Sequence, residues 1–402
     1  MTNDIKFLNA FNAIPGVGPA TLRILKERFT TYEDAWRASD SALSAINLQQ
    51  QAYLSITWKR PSINPDKEMG RLVKENIWMI TEEDPSYPLL LKEIPNPPVT
   101  LYGKGNPLLT PLEMRNGAVQ VSNKEVAEHL SPAISVLHKS LTGLTKTESK
   151  SILAVVGTRR PTSYGLEATE MLVQEIASLG LTIVSGLATG IDARAHAATL
   201  DAGGHTIAVL GSGVDQNSIF PSENRGLARR IEESGGAVIS EYAPGTPAIK
   251  EHFPQRNRII SGLAQGTLVI EARERSGALI TARFALEQNR DVFALPGSIF
   301  SPHAAGTHKL IQEGAKLITS VADILEGLGI DYTKKKEHIA RESLTTNEQT
   351  ILNLLEEPIG VDFLKEKTEL ATPTIIASLS MLELKGLIKN MEGDTYQKIT
   401  NS

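Results

Sequence analysis

The chain has 402 residues, 41% of them hydrophobic and 22% charged, which is room for two to four globular domains. A formal net charge of −5 excludes a general polycation that coats nucleic acid, and the absence of cysteine excludes disulfides and cysteine–zinc sites. No window approaches roughly 18 uncharged apolar residues, and the start lacks a basic stretch followed by an apolar run. A cytoplasmic protein without a membrane partner is therefore expected.

Residues 1–72 read as a small helical domain. Ile14-Pro-Gly-Val-Gly-Pro-Ala20 separates two apolar-periodic stretches. It is either a helix-hairpin-helix turn, whose glycines let amides approach a phosphate, or a tight structural turn. Two short strands follow, Ile77–Ile80 and Val99–Tyr102, joined by a proline-punctuated connection. Residues 104–150 are predicted to be an insertion or linker, with a helix over about 123–139 and a Ser/Thr/Lys-rich end.

From residue 151 short apolar runs alternate with helical segments. The runs are 152–156, 181–184, 206–210, 237–240, 267–270 and 291–295. The helices include about 165–179, 191–202, 223–234 and 276–289, with Gly180 and Gly235 at expected C-caps. This alternation predicts a doubly wound, mostly parallel α/β sheet, whose ligands bind at the carboxyl edge of the strands. A linker over 331–344 leads to a unit at 345–400, with helices at about 346–356, 361–368 and 373–385 and a hairpin around Glu392-Gly-Asp394. That pattern resembles a winged helix. Its third helix carries few charges, so it suits protein contact at least as well as a DNA groove.

The predicted carboxyl edge carries Gly157-Thr158-Arg159, Ser185-Gly186 through Gly190 to Asp192, Gly211-Ser-Gly213 and Pro296-Gly297. Glycines in such loops allow consecutive amides to form an anion nest. The ten residues from Phe253 to Gly262 hold Arg256, Asn257 and Arg258, read as a rigid loop delivering two guanidinium forks and an amide at a helix start. Residues 151–330 hold 12 arginines and only 3 lysines, which favours forked donors in a local pocket. Neither GxxxxGK[ST] nor a clean GxGxxG is present, nor is a GxSxG elbow. Asp192 and His196 share a helix face, as an acid/base or metal pair or, the favoured reading, as a cap and a packed ring. Glu241 and Glu271 at strand ends are read as anchors for nearby arginines. No catalytic constellation, metal site or cofactor is predicted.

Gly157-Thr-Arg159, Ser185-Gly-Leu-Ala-Thr-Gly-Ile-Asp-Ala-Arg-Ala-His196, Gly204–Leu210, Phe253-Pro-Gln-Arg-Asn-Arg258, Ser276-Gly-Ala-Leu-Ile-Thr281 and Leu295-Pro-Gly297 together resemble the DNA-processing protein A (DprA/Smf) family of bacteria. The resemblance covers about 77–330, apart from the insertion, which is longer than the family's usual link. It implies an extended Rossmann-like domain over 77–330 in a non-catalytic protein that binds single-stranded DNA without sequence preference. It also implies homodimerisation, loading of the recombinase RecA against single-strand-binding protein, and a role in natural transformation. Matched residue by residue, Arg159, Ser185, Gly186, Arg256, Asn257 and Arg258 line the DNA pocket. The glycine loops (Gly157, Thr158, Gly190, Gly211, Gly297) and the Ser276-Gly277 turn complete the candidate phosphate-binding set.

Two rivals remain. One is a Rossmann-like hydrolase of a nucleotide phosphoribosyl bond, which usually carries PGGxGT where this chain has Pro296-Gly-Ser-Ile-Phe-Ser301. The other is a partner-binding scaffold whose glycine edge is vestigial.

Overall fold

The computed structural model describes residues 2–106, 151–333, 335–336, 344–391 and 394–399. The expected insertion helix over 123–139 lies outside them. Contacts group the chain into two compact units, 1–321 and 322–402. Among the described residues no helix is long and apolar enough to cross a membrane.

The first unit opens with α1 (Thr2–Asn12), α2 (Pro19–Arg28), α3 (Tyr32–Arg37), α4 (Asp40–Ser44), α5 (Gln50–Lys59) and α6 (Pro65–Lys74). Their apolar faces close on Phe7, Phe11, Leu22, Leu25 and Ile56, and Val99 from the following connection enters the same cluster. The helices are therefore fastened to the sheet. The Asn12 amide donates to Thr100 Oγ1, Tyr102 Oη and the Glu241 carbonyl, at 3.1, 3.1 and 2.9 Å. The turn at 14–18 has Gly16 at φ 85° and Pro19 in the first turn of α2. Arg23 beyond it is occupied by Glu82 at 2.7 Å and the Pro97 carbonyl.

The sheet elements follow in chain order: β1 (Trp78–Thr81), the short α7 (Leu89–Lys92), β2 (Thr100–Gly105), β3 (Ile152–Val156), α8 (Ser163–Ser178), β4 (Thr182–Ser185), α9 (Ile191–Asp201), β5 (Thr206–Val209), α10 (Arg225–Glu233), β6 (Ala237–Ser240), α11 (His252–Leu263), β7 (Gly266–Val269), α12 (Gly277–Glu287), β8 (Asp291–Ala294), α13 (Ala305–Gln312) and β9 (Lys316–Leu317). They form one nine-stranded sheet in the order β1-β2-β6-β5-β4-β3-β7-β8-β9. Strands β3 to β9 run parallel, while β2 pairs antiparallel with β6 and β1 antiparallel with β2.

The interior strands are buried on both faces, which is why they read as unbroken apolar runs. Each Val, Leu or Ile so buried contributes about 1.5–3 kcal/mol. The chain winds from β3 outward through β4, β5 and β6, then returns to place β7 on the other side of β3. The winding direction reverses between β3 and β7, and that reversal opens a crevice at their carboxyl ends.

The sequence places these strands within a residue or two, with one omission. β9 has only two residues and carries no apolar run of its own. A second difference concerns Phe253–Arg258, expected as a loop before a helix. It forms the first turns of α11 itself, because Pro254 is tolerated where amides are unpaired in any case.

The second unit contains the last turns of α14 (Val321–Gly327), then α15 (Thr346–Leu354), β10 (Ile359–Gly360), α16 (Val361–Thr368), α17 (Thr372–Leu384), β11 (Ile388–Met391) and β12 (Thr395–Lys398). The three strands form one sheet in the order β10-β12-β11. Ile351, Leu352, Leu364, Ile375, Leu379 and Leu382 make its core. Helix α15 starts with a capping box: Thr345 Oγ1 accepts from the Glu348 amide while the Thr345 amide donates back to Glu348 Oε2 at 2.7 Å. Lys385 closes the box, its ammonium 3.0 Å from Glu348 Oε2. Burial pushes the Glu348 carboxyl up, but the Thr345 hydrogen bonds and the Lys385 charge outweigh it and hold the pKa below the ordinary value.

A carboxylate with a depressed folded-state pKa contributes stability above its unfolded pKa and loses it as pH falls through the folded value. The protection factors of the 345–354 amides, exchange rates divided into their intrinsic values at each pH, are therefore expected to fall below about pH 4.3, the ordinary glutamate range. In Glu348→Gln that acid-dependent step disappears. Identical pH profiles in the two proteins would show that the box carries no such linkage.

A candidate single-strand interface on the carboxyl edge

The loops after β3 and β4 lie directly on each other. Ile191 donates its amide to the Thr158 carbonyl at 3.2 Å. A Cβ on Gly157 would meet Ile191 at 2.6 Å, and one on Gly190, at φ 83°, would collide with the Thr158 carbonyl. These glycines let two loops share one layer. Gly211 serves similarly, with Phe253 and His252 packed 3.3–3.4 Å from its would-be Cβ. The expected amide nests are thus filled largely by neighbouring chain, and side chains present the edge to solvent.

Beneath this layer sits a buried polar group. Arg256 is 3% exposed, and its guanidinium donates to the Gly186 carbonyl at 2.6 Å and to the Val209 carbonyl. It therefore braces the carboxyl ends of β4 and β5 against each other. Asp192 is its counter-charge. Burial pushes the Asp192 carboxyl up, opposed by Arg256 and by the Ala188 and Gly186 amides. Burial likewise pushes Arg256 down to about 10, opposed by Asp192. Gly186 must be glycine, since a Cβ there would lie 2.7 Å from both the guanidinium and the carboxylate. Ser185 is also consumed internally, its hydroxyl donating to the Val155 carbonyl at 2.6 Å.

His196 completes the group. Thr206 Oγ1 donates to the Ile183 carbonyl, so it accepts from His196 Nδ1–H at 2.7 Å, and the Nε2 atom carries the lone pair. Burial, and secondarily the Arg256 charge, drive its pKa down to about 3. The ring is a packed, neutral core residue, as the sequence reading favoured, while Asp192 in the first turn of α9 is the nearby opposite charge to Arg256.

Arg258 points elsewhere. It forms a bidentate pair with Glu241 at 2.6 and 2.7 Å and donates to the Asn96 carbonyl at 2.9 Å. Burial alone would lower its pKa, but the Glu241 hydrogen bonds and charge raise it. Glu241 is the arginine anchor the sequence suggested. The presentation expected for Phe253–Arg258 is corrected: neither guanidinium faces solvent, because helical geometry turns both into the protein.

Among the described residues Glu271 anchors no arginine. Its carboxylate accepts from the Thr162 hydroxyl at 2.6 Å and the Thr162 amide at 2.9 Å, at the N-terminus of α8. Gly165 leaves room for it, since a Cβ there would collide with the carboxylate. In a dinucleotide-binding sheet this helix end receives a phosphate. Here a protein carboxylate occupies it.

Arg159 is what the edge shows to solvent. It is exposed, has no carboxylate partner among the described residues, and lies 5.5 Å over the Phe253 ring. Phe253 leans on the half-exposed Phe220 at 5.8 Å between centroids. Tyr242 and His252 stack at 3.9 Å beside them. Asn257 donates to the Gly277 carbonyl at 3.3 Å, joining α11 to the Ser276-capped start of α12, where Gly277 stands in open space. The structure thus divides the sequence-derived set. Thr158, Arg159, Gly190, Asn257, Ser276 and Gly277 belong to the surface or its first layer, whereas Ser185, Gly186, Gly211 and Arg256 support it. Arg258 braces the 94–98 connection, and Gly297 lies in the crevice near β8. Phe220, Tyr242 and His252 were missed. Their signal was aromatic residues in the loops following β5 and β6, on the edge where ligands bind.

A doubly wound sheet with an arginine and aromatic face on its carboxyl edge is thus joined in one chain to a three-helix unit with a small antiparallel sheet. The profile described as DNA recombination-mediator protein A matches residues 125–329, and that of the DprA winged helix domain matches 336–394. Protein Smf of Synechocystis is 34% identical over 97% of both chains. DNA processing protein DprA of Streptococcus pneumoniae is 50% identical over 43% of this chain and 60% of its own. The X-ray structure of DprA from that organism aligns with a TM-score of 0.58 and 32% identity, covering 80% of this chain and 97% of its own. The chain belongs to the DprA/Smf family.

The burial of His196 has a pH consequence. Its folded-state pKa lies below the unfolded one, so the unfolded chain takes up the proton first. Stability is full above about pH 6.5 and falls toward acid, by up to about 1.4 kcal/mol per pH unit for one such group. In urea unfolding between pH 6.5 and 5, His196→Asn, which keeps a donor to Thr206, is expected to show a shallower decline than the native protein. Parallel declines would contradict this assignment.

Proposed function

We propose that the protein binds single-stranded DNA at its carboxyl edge without catalysis and presents it to the recombinase RecA during uptake-linked recombination. The observation that carries this reading is Arg159, exposed over the Phe253–Phe220 face and without a carboxylate partner among the described residues. A cation for the backbone beside aromatic rings for the bases is the combination that single strands require and nucleotide-phosphate sites do not. Asn257, Ser276, Gly277 and the exposed Arg160 extend the same surface. Binding is led by the phosphate backbone and accepts strands of any sequence. The carboxylate of Glu271 in the α8 N-terminus tells against a nucleotide hydrolase, because it fills the place a substrate phosphate would take.

Membership in a family described as recombination mediators supports hand-over to RecA in competition with single-strand-binding protein. The sheet edge supports a homodimer: β9 is a short terminal strand, and Leu317 and Leu286 near it are 46% and 56% exposed. Two linked sites would bind one strand with greater avidity than either alone. In the winged helix, α17 exposes Ile376, Met381 and Leu384, a face suited to a protein partner.

Fluorescence anisotropy with labelled oligo-dT across a salt series tests the roles of the arginines. Arg159→Ala is expected to weaken binding and to flatten the slope of log K against log salt by about 0.7, one phosphate contact. Arg256→Met is expected to weaken binding with an unchanged slope, because Arg256 shapes the loops and touches no phosphate. A flattened slope in Arg256→Met, or native binding in Arg159→Ala, would reverse these roles.

A further inference from the structure

The carboxyl edge continues beyond Arg159 toward β7 and β8. Val156 pairs with Val269 and Val269 with Ala294, so β3, β7 and β8 end side by side. Thr158 in the loop after β3 donates its amide to the Glu271 carbonyl in the loop after β7, at 2.8 Å. Ala272 donates in turn to the His303 carbonyl in the loop after β8 at 2.9 Å, and Gly306 donates back to the Ala272 carbonyl at 2.8 Å. The β7 loop therefore stands between Arg159 and the β8 loop and is fastened to both.

The β8 loop carries a closed turn. The Ser301 amide donates to the Ser298 carbonyl at 2.9 Å, and the Phe300 amide donates to Ser298 Oγ at 3.3 Å. Tyr164 holds the start of the loop, its hydroxyl donating to the Pro296 carbonyl at 2.7 Å. Ile299 and Phe300 take the two central positions of the turn and are 81% and 89% exposed. Phe300 is the most exposed large apolar side chain among the described residues. A crevice of about 470 Å³ opens beside the turn, floored by Ile270, Leu295 and Ala304. Ser298 and Ser301 line it, whereas Ile299 and Phe300 do not. The turn thus holds a ring in water with apolar surface close by, and the stabilisation that burying a phenylalanine brings is forgone.

Cations line the way from Arg159 to this ring. Arg160, Arg273 and Arg275 are exposed and have no carboxylate partner among the described residues, with Glu274 as the exposed acid between the last two. Arg273 is held at the foot of the β8 loop, its guanidinium donating to His303 Nε2 at 3.0 Å. Neighbouring strands lie about 4.8 Å apart, so β8 is about 10 Å from β3, a span of about three nucleotides at roughly 3.4 Å each. We propose that Phe300 is a stacking platform for single-stranded DNA, at the end of a track whose phosphates meet Arg159 and Arg273. It rests on the strand-binding reading and lengthens that site toward β8. Every base has a π-face, so the ring adds affinity without a sequence preference. The flanking guanidinium groups select a polyanion as the occupant over an apolar face of a second copy of this chain.

The test measures labelled oligo-dT binding by anisotropy across a salt series, with Arg159→Ala alongside. Phe300→Ala, at an exposed turn position, is expected to weaken binding about tenfold, the worth of one stacked base, with an unchanged salt slope. Phe300→Leu should bind no better than Phe300→Ala, because it restores apolar bulk without a ring. Phe300→Trp should bind as tightly as the native protein, with its indole emission quenched when the oligonucleotide is added. Arg273→Ala should flatten the slope by about 0.7, one phosphate contact. Oligo-dC should show the same losses, since the contact reads no base. Native affinity in Phe300→Ala beside weakened binding in Arg159→Ala would overturn the platform and leave strand binding standing. Recovery in Phe300→Leu would also overturn it, as would an oligomer that dissociates in sedimentation when Phe300 is replaced by alanine, which would make the turn a contact between copies. Failure of the native protein to bind either oligonucleotide would overturn the strand-binding reading and the platform together.

Discussion

The carboxyl edge depends on one buried guanidinium. Arg256 holds the Gly186 and Val209 carbonyls, and so sets how the ends of β4 and β5 meet. Both hydrogen bonds leave from Nη1, the buried Nε has no hydrogen-bond partner among the described residues, and a buried charge so held needs a nearby opposite charge. Asp192 supplies that charge from the first turn of α9, so the helix is tied to the same point. Gly186 is then obligatory, and the β4 loop has one path across the β3 loop. Arg159 stands on that layer, and its charge is felt by Arg256 below. The interior cation fixes where the exterior one can be.

The arginine enrichment of the middle of the chain acquires a different meaning in this light. A planar fork satisfies carbonyls as readily as phosphates, and several arginines do so here. Arg256 and Arg258 each bind backbone carbonyls, and Arg290 donates to the Leu90 carbonyl at 3.0 Å. Lysine could not hold two carbonyls of different strands in fixed geometry. The composition marks a protein whose long connections are pinned by guanidinium groups, and only a minority of those groups are left for a ligand.

Much of the fold was legible because buried parallel strands leave a plain signature: four or five apolar residues that stop at a glycine or a charge. Two-residue β9 leaves none. Helix α11 was misjudged at its start because Pro254 suggests a loop, although an early helical turn accommodates it. The site was legible as a set of loops and opaque as a set of roles. Whether Arg256 meets a carbonyl or a phosphate depends on the side of the helix it leaves from, and the α11 boundary decides that. Phe220 and Tyr242 lie in separate loops and Phe253 at the start of α11, so only their convergence shows them to be one surface. Glu271 looked like an arginine anchor because strand-end carboxylates often are. Its helix-capping role required knowing that Gly165 lets α8 approach so closely.

Glu271 also explains how a dinucleotide-type sheet can serve a polymer. The reversal of winding between β3 and β7 offers one helix N-terminus with strong affinity for anions, and a mononucleotide site would form there by default. Filling that end with a protein carboxylate removes the default. The exposed guanidinium of Arg159 lies away from that helix end, over the Phe253 ring. The crevice keeps its depth and its apolar floor but loses its appetite for charge.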